Sequence, residues 1–116
     1  MRIANQASRE YLKSIGYNYV CLIPHGYSYE QIVDGNIQKQ IDIFGLFDGV
    51  AIKKIPGYKP LIVFLQIKTN KLPSLKKYKE FSYLYHVNIF VLVYDGKLKK
   101  IKECRAIYYP KVTKTK

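Results

Sequence analysis

Apolar and polar residues change rhythm several times along the chain, and each change marks an element. Over residues 4–15 the apolar or small side chains fall at Ala4, Ala7, Tyr11, Leu12 and Ile15, the spacing of a helix with one apolar face. Asn5 is a candidate cap near its start, and Gly16 can close it in a left-handed conformation. Residues 17–23 (YNYVCLI) read as a strand, stopped by Pro24 and Gly26. Residues 24–40 are polar and contain Gly26, Asp34-Gly35 and Asn36, so they read as a long loop with room for a short hairpin. Two strand-like segments follow, IDIFGLFDGVAIKK (41–54) and PLIVFLQIKTN (60–70), joined by the turn sequence Ile55-Pro56-Gly57-Tyr58. Residues 74–86 carry the helical stripe Leu75, Tyr78, Phe81, Leu84 and Tyr85, with Lys76, Lys77 and Lys79 on the wet side. Residues 87–94 (VNIFVLVY) read as a buried strand ended by Asp95-Gly96, a hairpin turn signal. Residues 97–109 return as an edge strand whose lysines discourage aggregation. The order predicts one α/β domain over residues 1–110, a central mixed sheet flanked by helices, and a frayed basic tail at 111–116.

Composition narrows this picture. At 116 residues, 48% of them hydrophobic, the chain can fill one core but not several. No apolar run approaches the roughly 20 residues of a membrane span, and the start MRIANQASRE carries no secretory stretch. A soluble cytoplasmic protein with no membrane partner is expected. Cys21 and Cys104 lie far apart and, with only His25 and His86 beside them, lack zinc-ligand spacing. They read as free thiols, with a disulfide as the alternative.

Charge adds a partner. The net charge is +12, and it is uneven. Residues 1–52 hold four basic against five acidic side chains, whereas residues 53–116 hold sixteen against three. Such asymmetry points to a polyanion, either nucleic acid or an acidic membrane surface; a solubilising lysine surface is the plain alternative. Lys76, Lys77 and Lys79, with Lys97, Lys99, Lys100 and Lys102, are the candidate phosphate contacts. Tyr17, Tyr19, Tyr27 and Tyr29 alternate with other residues and serve either base stacking or ordinary packing.

The candidate chemistry lies in the paired segments. Side chains alternate across a strand, so Gln66 and Lys68 project from one face and Ile67 from the other. Folding the hairpin about Gly57-Tyr58 brings Asp48 to the neighbourhood of Ile67 and Lys68. A straight strand would leave Asp42 some 20 Å from Asp48, but a bend at Gly45 would let it flank the site. LIVFL running into Gln66 and Lys68, and FGLF running into Asp48, place polar groups against apolar runs where they need partners. Two readings stand: a cross-strand Asp48–Lys68 salt bridge, or a site.

Asp48 followed by Gln66-x-Lys68 after an apolar strand resembles the core of the PD-(D/E)XK nuclease superfamily. The order of elements adds to the likeness, which is closest in style to small archaeal or viral Holliday junction resolvase-like proteins. The segment Asp42-Ile43-Phe44-Gly45-Leu46-Phe47-Asp48 is similar to a DxFGxxD element of phage and viral members. Two departures stand out: Phe47 replaces the usual Pro, and Gln66 replaces the usual acid, as in the Mrr-like branch. The resemblance implies a restriction-endonuclease-like core and Mg²⁺- or Mn²⁺-assisted hydrolysis of DNA phosphodiesters. It puts Asp48, Gln66 and Glu10 at the metal, with Asp42 as a further acid, and Lys68 beside the phosphate. Thr69, Asn70 and Lys71 would touch the DNA backbone. Duplex or branched DNA is the implied substrate, no small-molecule cofactor is expected, and the small surface of one chain predicts a homodimer. A catalytically inactive DNA-binding module and a protein-interaction domain are the rival readings. The small, compositionally skewed chain fits a virus- or phage-encoded protein.

Overall fold

The computed structural model describes residues 2–24 and 26–109; His25 and the basic tail 111–116 lie outside them. Helix α1 spans Arg2–Ser14, with Ala4, Ser8 and Leu12 buried along one row. Its end is a Schellman motif. Gly16, at φ +97°, donates to the Lys13 carbonyl and Tyr17 to the Leu12 carbonyl, both at 3.0 Å. Leu12 and Tyr17 then meet in the core. The left-handed closure expected of Gly16 is therefore present, while the start of the helix before Asn5 removes the capping role expected of that residue.

Strand β1 (Tyr19–Leu22) leads into a hairpin of β2 (Tyr29–Val33) and β3 (Asn36–Gln40), which turns at Asp34-Gly35. The short hairpin for which the polar stretch 24–40 left room is present and takes up most of it. Strand β4 covers only Gly49–Lys53, and β5 covers Leu61–Thr69. The strand expected over 41–54 is broken: residues 43–47 form a tight turn instead. Helix α2 (Lys76–Tyr85) then carries the chain to β6 (Asn88–Asp95) and β7 (Lys100–Ile107). The β6–β7 loop is held by the Asp95 carboxylate, which accepts the N–H groups of Leu98 and Lys97. Those bonds, with nearby Lys102 and Lys97, hold its pKa below the usual carboxylate value.

The main sheet has the order β1-β4-β5-β6-β7, with β5 and β6 parallel and the other neighbours antiparallel. The parallel step needs a crossover, and α2 supplies it. The fold is thus α/β with a mixed five-stranded sheet and two helices. Alternation along β5 divides the core. Val63 and Leu65 pack with Leu12, Tyr17, Ala51, Phe90 and Leu92 under α1. Phe64 faces Phe47, Tyr78, Ile89, Val91 and Ile107 on the α2 side. Strand β6 is covered on both faces, which is why it reads as an unbroken apolar run. No helix among the described residues is long and apolar enough to cross a membrane.

Two consequences can be measured. A Cβ on Gly49 would run into the Cys21 carbonyl oxygen of β1 and the Leu22 side chain. Gly49→Ala should therefore destabilise the fold by about 2 kcal/mol or more, read as a lowered denaturation midpoint. Burial pushes the Tyr17 hydroxyl up from 10.0 to about 12, and burial also raises Tyr11, Tyr78 and Tyr108. A phenol kept neutral by the fold adds stability that is complete below its unfolded pKa and is lost as pH climbs through the folded one. Urea midpoints should accordingly fall between pH 10 and pH 12, and Tyr17→Phe should flatten that fall.

Candidate active site at the end of strand β5

Strand β5 outruns β4. Their pairing ends at Gly49 opposite Leu65, while Gln66 to Thr69 continue in register with β6 alone. Backbone groups of alternate strand residues face the same neighbour, so the Ile67 N–H points to the side where β4 is missing. The Asp48 carboxylate takes it: Oδ2 accepts from Ile67 at 2.8 Å. The Asp48 main chain is tied down as well, its N–H donating to Leu65 at 2.6 Å and its carbonyl accepting from Ile23 at 2.8 Å. Asp48 is fixed at the fork of the sheet, directly across from Gln66.

The turn over residues 43–47 delivers a second carboxylate. Phe44 (φ +57°) and Gly45 (φ +73°) both have positive φ, as at the centre of a type I′ turn, and Leu46 donates to the Ile43 carbonyl. The Gln31 amide on β2 clamps it from outside, donating to the Asp42 carbonyl at 2.6 Å and accepting from the Phe44 N–H at 2.7 Å. The chain doubles back, so Asp42 and Asp48 end in one cleft rather than at two ends of a strand. The bend expected at Gly45 is the device.

That cleft, about 280 Å³, is lined by Asp42, Asp48, Gln66, Lys68 and Thr69, with Ala4 and Asn5 from α1. Lys68 also borders an adjoining groove of about 510 Å³ with Ser74, Lys76, Lys77, Tyr78 and Glu80. Carboxylates on one side and lysines on the other meet at Lys68. Tyr78 is buried between them, and its hydroxyl is held above the ordinary tyrosine value by burial and then by the charges of Asp48 and Asp42.

The expected residues therefore divide. Asp48, Gln66, Lys68, Asp42 and Thr69 come together, and Lys76 and Lys77 line the groove beside them. Glu10 does not join them. At 100° per residue it lies nearly opposite the buried Ala4–Ser8–Leu12 row, exposed, within reach of Gln6. The helix contributes Asn5 instead. Asn70 braces the β6–β7 loop: at φ +67°, it accepts the Gly96 N–H on its side-chain oxygen and the Lys102 ammonium on its carbonyl. Lys71 and Lys79 are exposed outside both linings. Sequence reasoning missed Asn5, Gln31 and Ser74, and took Tyr78 for core alone.

No family model, curated protein or solved structure matches the chain. The chemistry of the cleft rests on its own donor set. Among the described residues no group of three or more His, Cys, Asp or Glu side chains is arranged to hold a metal ion. Magnesium is ordinarily bound by one or two carboxylates together with waters and substrate phosphate, and the cleft offers two. Gln66 adds the telling feature: only 7% exposed, its Oε1 is buried without a hydrogen-bond donor. A hard oxygen left unpaired beside two carboxylates fits a cation ligand. An orphaned buried acceptor costs about 1–3 kcal/mol, so Gln66→Met, which keeps the shape and removes the oxygen, should raise stability by about 1 kcal/mol. Thermal denaturation checks this; an equal loss would show the amide to be satisfied.

Proposed function

We propose that the protein is a metal-dependent DNA endonuclease with a PD-(D/E)XK-type, restriction-endonuclease-like core, acting on duplex or branched DNA such as a four-way junction. One observation carries the reading: Asp42, Asp48, Gln66 and Lys68 share a cleft at the fork of the sheet, and Lys68 leads from it into a lysine-lined groove. A structural Asp48 needs none of the other three there.

Asp48, Asp42 and the Gln66 oxygen would hold Mg²⁺ or Mn²⁺, which supplies charge against the phosphate and a water of lowered pKa. The chain does the rest. Lys76 and Lys77 hold the phosphate backbone in the groove, and Lys68 sets the scissile phosphate against the carboxylates. As water adds to phosphorus and the ester bond breaks, the Lys68 ammonium offsets the charge growing on the phosphoryl oxygens. The homodimer expected from the chain's small surface belongs to the same proposal, and sedimentation with and without a four-way junction reads it.

A second reading is favoured by two specific observations. Gln66 stands where an acid is usual, and Glu10 points away from the cleft. Both lower the negative charge available for a metal, as in a DNA-binding module that has lost catalysis. Cleavage assays on four-way, flapped, single-stranded and linear DNA with Mg²⁺ or Mn²⁺ separate the two. Lys68→Ala should slow cutting by about 10²-fold or more with DNA affinity changed only a few-fold. Gln66→Glu should tighten metal binding. Absence of cutting on every substrate, with affinity intact, would leave the binding module standing.

A further inference from the structure

The far end of α1 builds a second concavity. A groove of about 480 Å³ is lined by Arg9, Lys13, Gly16, Tyr17, Asn18 and Val20. Its shape follows from the Schellman ending, which folds Tyr17 back under the helix. Lys53 enters from β4: a Cβ on Gly16 would lie 3.1 Å from its Cε, and its ammonium stands 5.6 Å from the Tyr17 ring centre. Three cations thus border one groove whose lining contains no Asp or Glu. The carbonyl end of α1 accounts for Lys13, in the last turn, and together with the Tyr17 ring for Lys53, but not for Arg9. Like charges gathered about a concavity repel one another unless an anion lies among them. Asn18 adds a donor, because its oxygen is taken by the Lys54 N–H at 2.9 Å and its NH₂ is left over.

The groove is connected to the cleft. Asn5, Arg9 and Lys13 are spaced by four and form one ridge along α1. Asn5 lines the Asp42–Asp48 cleft, while Arg9 and Lys13 line the groove. Eight residues separate the ends of the ridge, about 12 Å at the helical rise of ~1.5 Å per residue. At ~3.4 Å per nucleotide along one strand, that span is three to four nucleotides.

The geometry points to a second phosphate-backbone site at the C-terminal end of α1, where Arg9, Lys13 and Lys53 hold nucleic-acid phosphates about three to four nucleotides from the phosphate in the cleft. The site rests on the nucleic-acid reading above and gives the bound strand a direction, across the sheet fork and along α1. With Tyr17 buried, the groove presents charge and one amide rather than a stacking platform. It contacts backbone and is indifferent to base sequence.

The test uses the full chain with a labelled duplex and a labelled four-way junction, titrated over a range of KCl. Arg9→Gln and Lys13→Gln should each lower the slope of log affinity against log salt by about 0.9, and the double variant by about 1.8. At ~0.1 M salt the double variant should bind about tenfold more weakly or worse, equally for unrelated sequences. Both side chains are exposed, so circular dichroism melts should match the wild type. Wild-type protein with a steep salt slope that the double variant leaves unchanged would overturn the α1 site and leave the cleft reading intact. A flat slope in the wild type would overturn both.

Discussion

The hydrogen bond from the Ile67 N–H to the Asp48 carboxylate does what a longer β4 would have done. Where a sheet forks, a backbone donor facing the gap needs an acceptor, and a buried donor without one is costly. Here a side chain supplies it at 2.8 Å, while the same residue's main chain joins Leu65 and Ile23. Asp48 is thereby locked by two bonds to β5 and one to the residue that follows β1. The opening that becomes the cleft and the carboxylate that gives it chemistry have a single cause: β4 stops at Gly49, and the chain before it turns away. Gly49 permits the stop, since any side chain there would collide with β1.

The Gln31 clamp extends this logic outward. The turn over residues 43–47 holds a bulky residue, Phe44, in the left-handed region, a conformation that costs an L-residue roughly 1–2 kcal/mol. The Phe44 N–H and the Asp42 C=O are met by a single amide from the β2–β3 hairpin. The hairpin, detached from the main sheet, serves to fix the position of Asp42. Phe47, stacked on Phe64 and edge-on to Phe81, anchors the return of the turn in the core.

Much of this was legible, and the failures are specific. Alternation alone placed Gln66 and Lys68 on one face, and reflection about Gly57 brought Asp48 within a residue or two of its true partner. The helical stripe of α2 was readable for the usual reason that its apolar positions recur every three or four residues. The turn was legible only as a bend left open at Gly45. Phe-Gly is not a left-handed turn pair in the way Asn-Gly is, and the segment IDIFGLFD has the apolar content of a strand. Glu10 was placed by resemblance rather than by helix phase. The helix buries the Ala4–Ser8–Leu12 row, Ser8 through a hydroxyl that donates to the Ala4 carbonyl at 2.8 Å, and this leaves Glu10 on the opposite, exposed side. Charge sums also mislead. Arg9 and Lys13 belong to the balanced half of the sequence, yet the fold sets them beside Lys53.

The glutamine at position 66 then has a physical explanation that does not depend on ancestry. A glutamate there would be more than nine-tenths buried, opposite Asp48 and in one cleft with Asp42. Without a cation, desolvation and two like charges would both oppose its ionisation, and a bound cation would offset them. Among the described residues Lys68 offers the only compensating charge in the cleft lining. An amide avoids that conflict: it presents an oxygen of fixed, modest donor strength at every pH and lets the sheet close without a cation. The cost is one unsatisfied acceptor, the Gln66 Oε1.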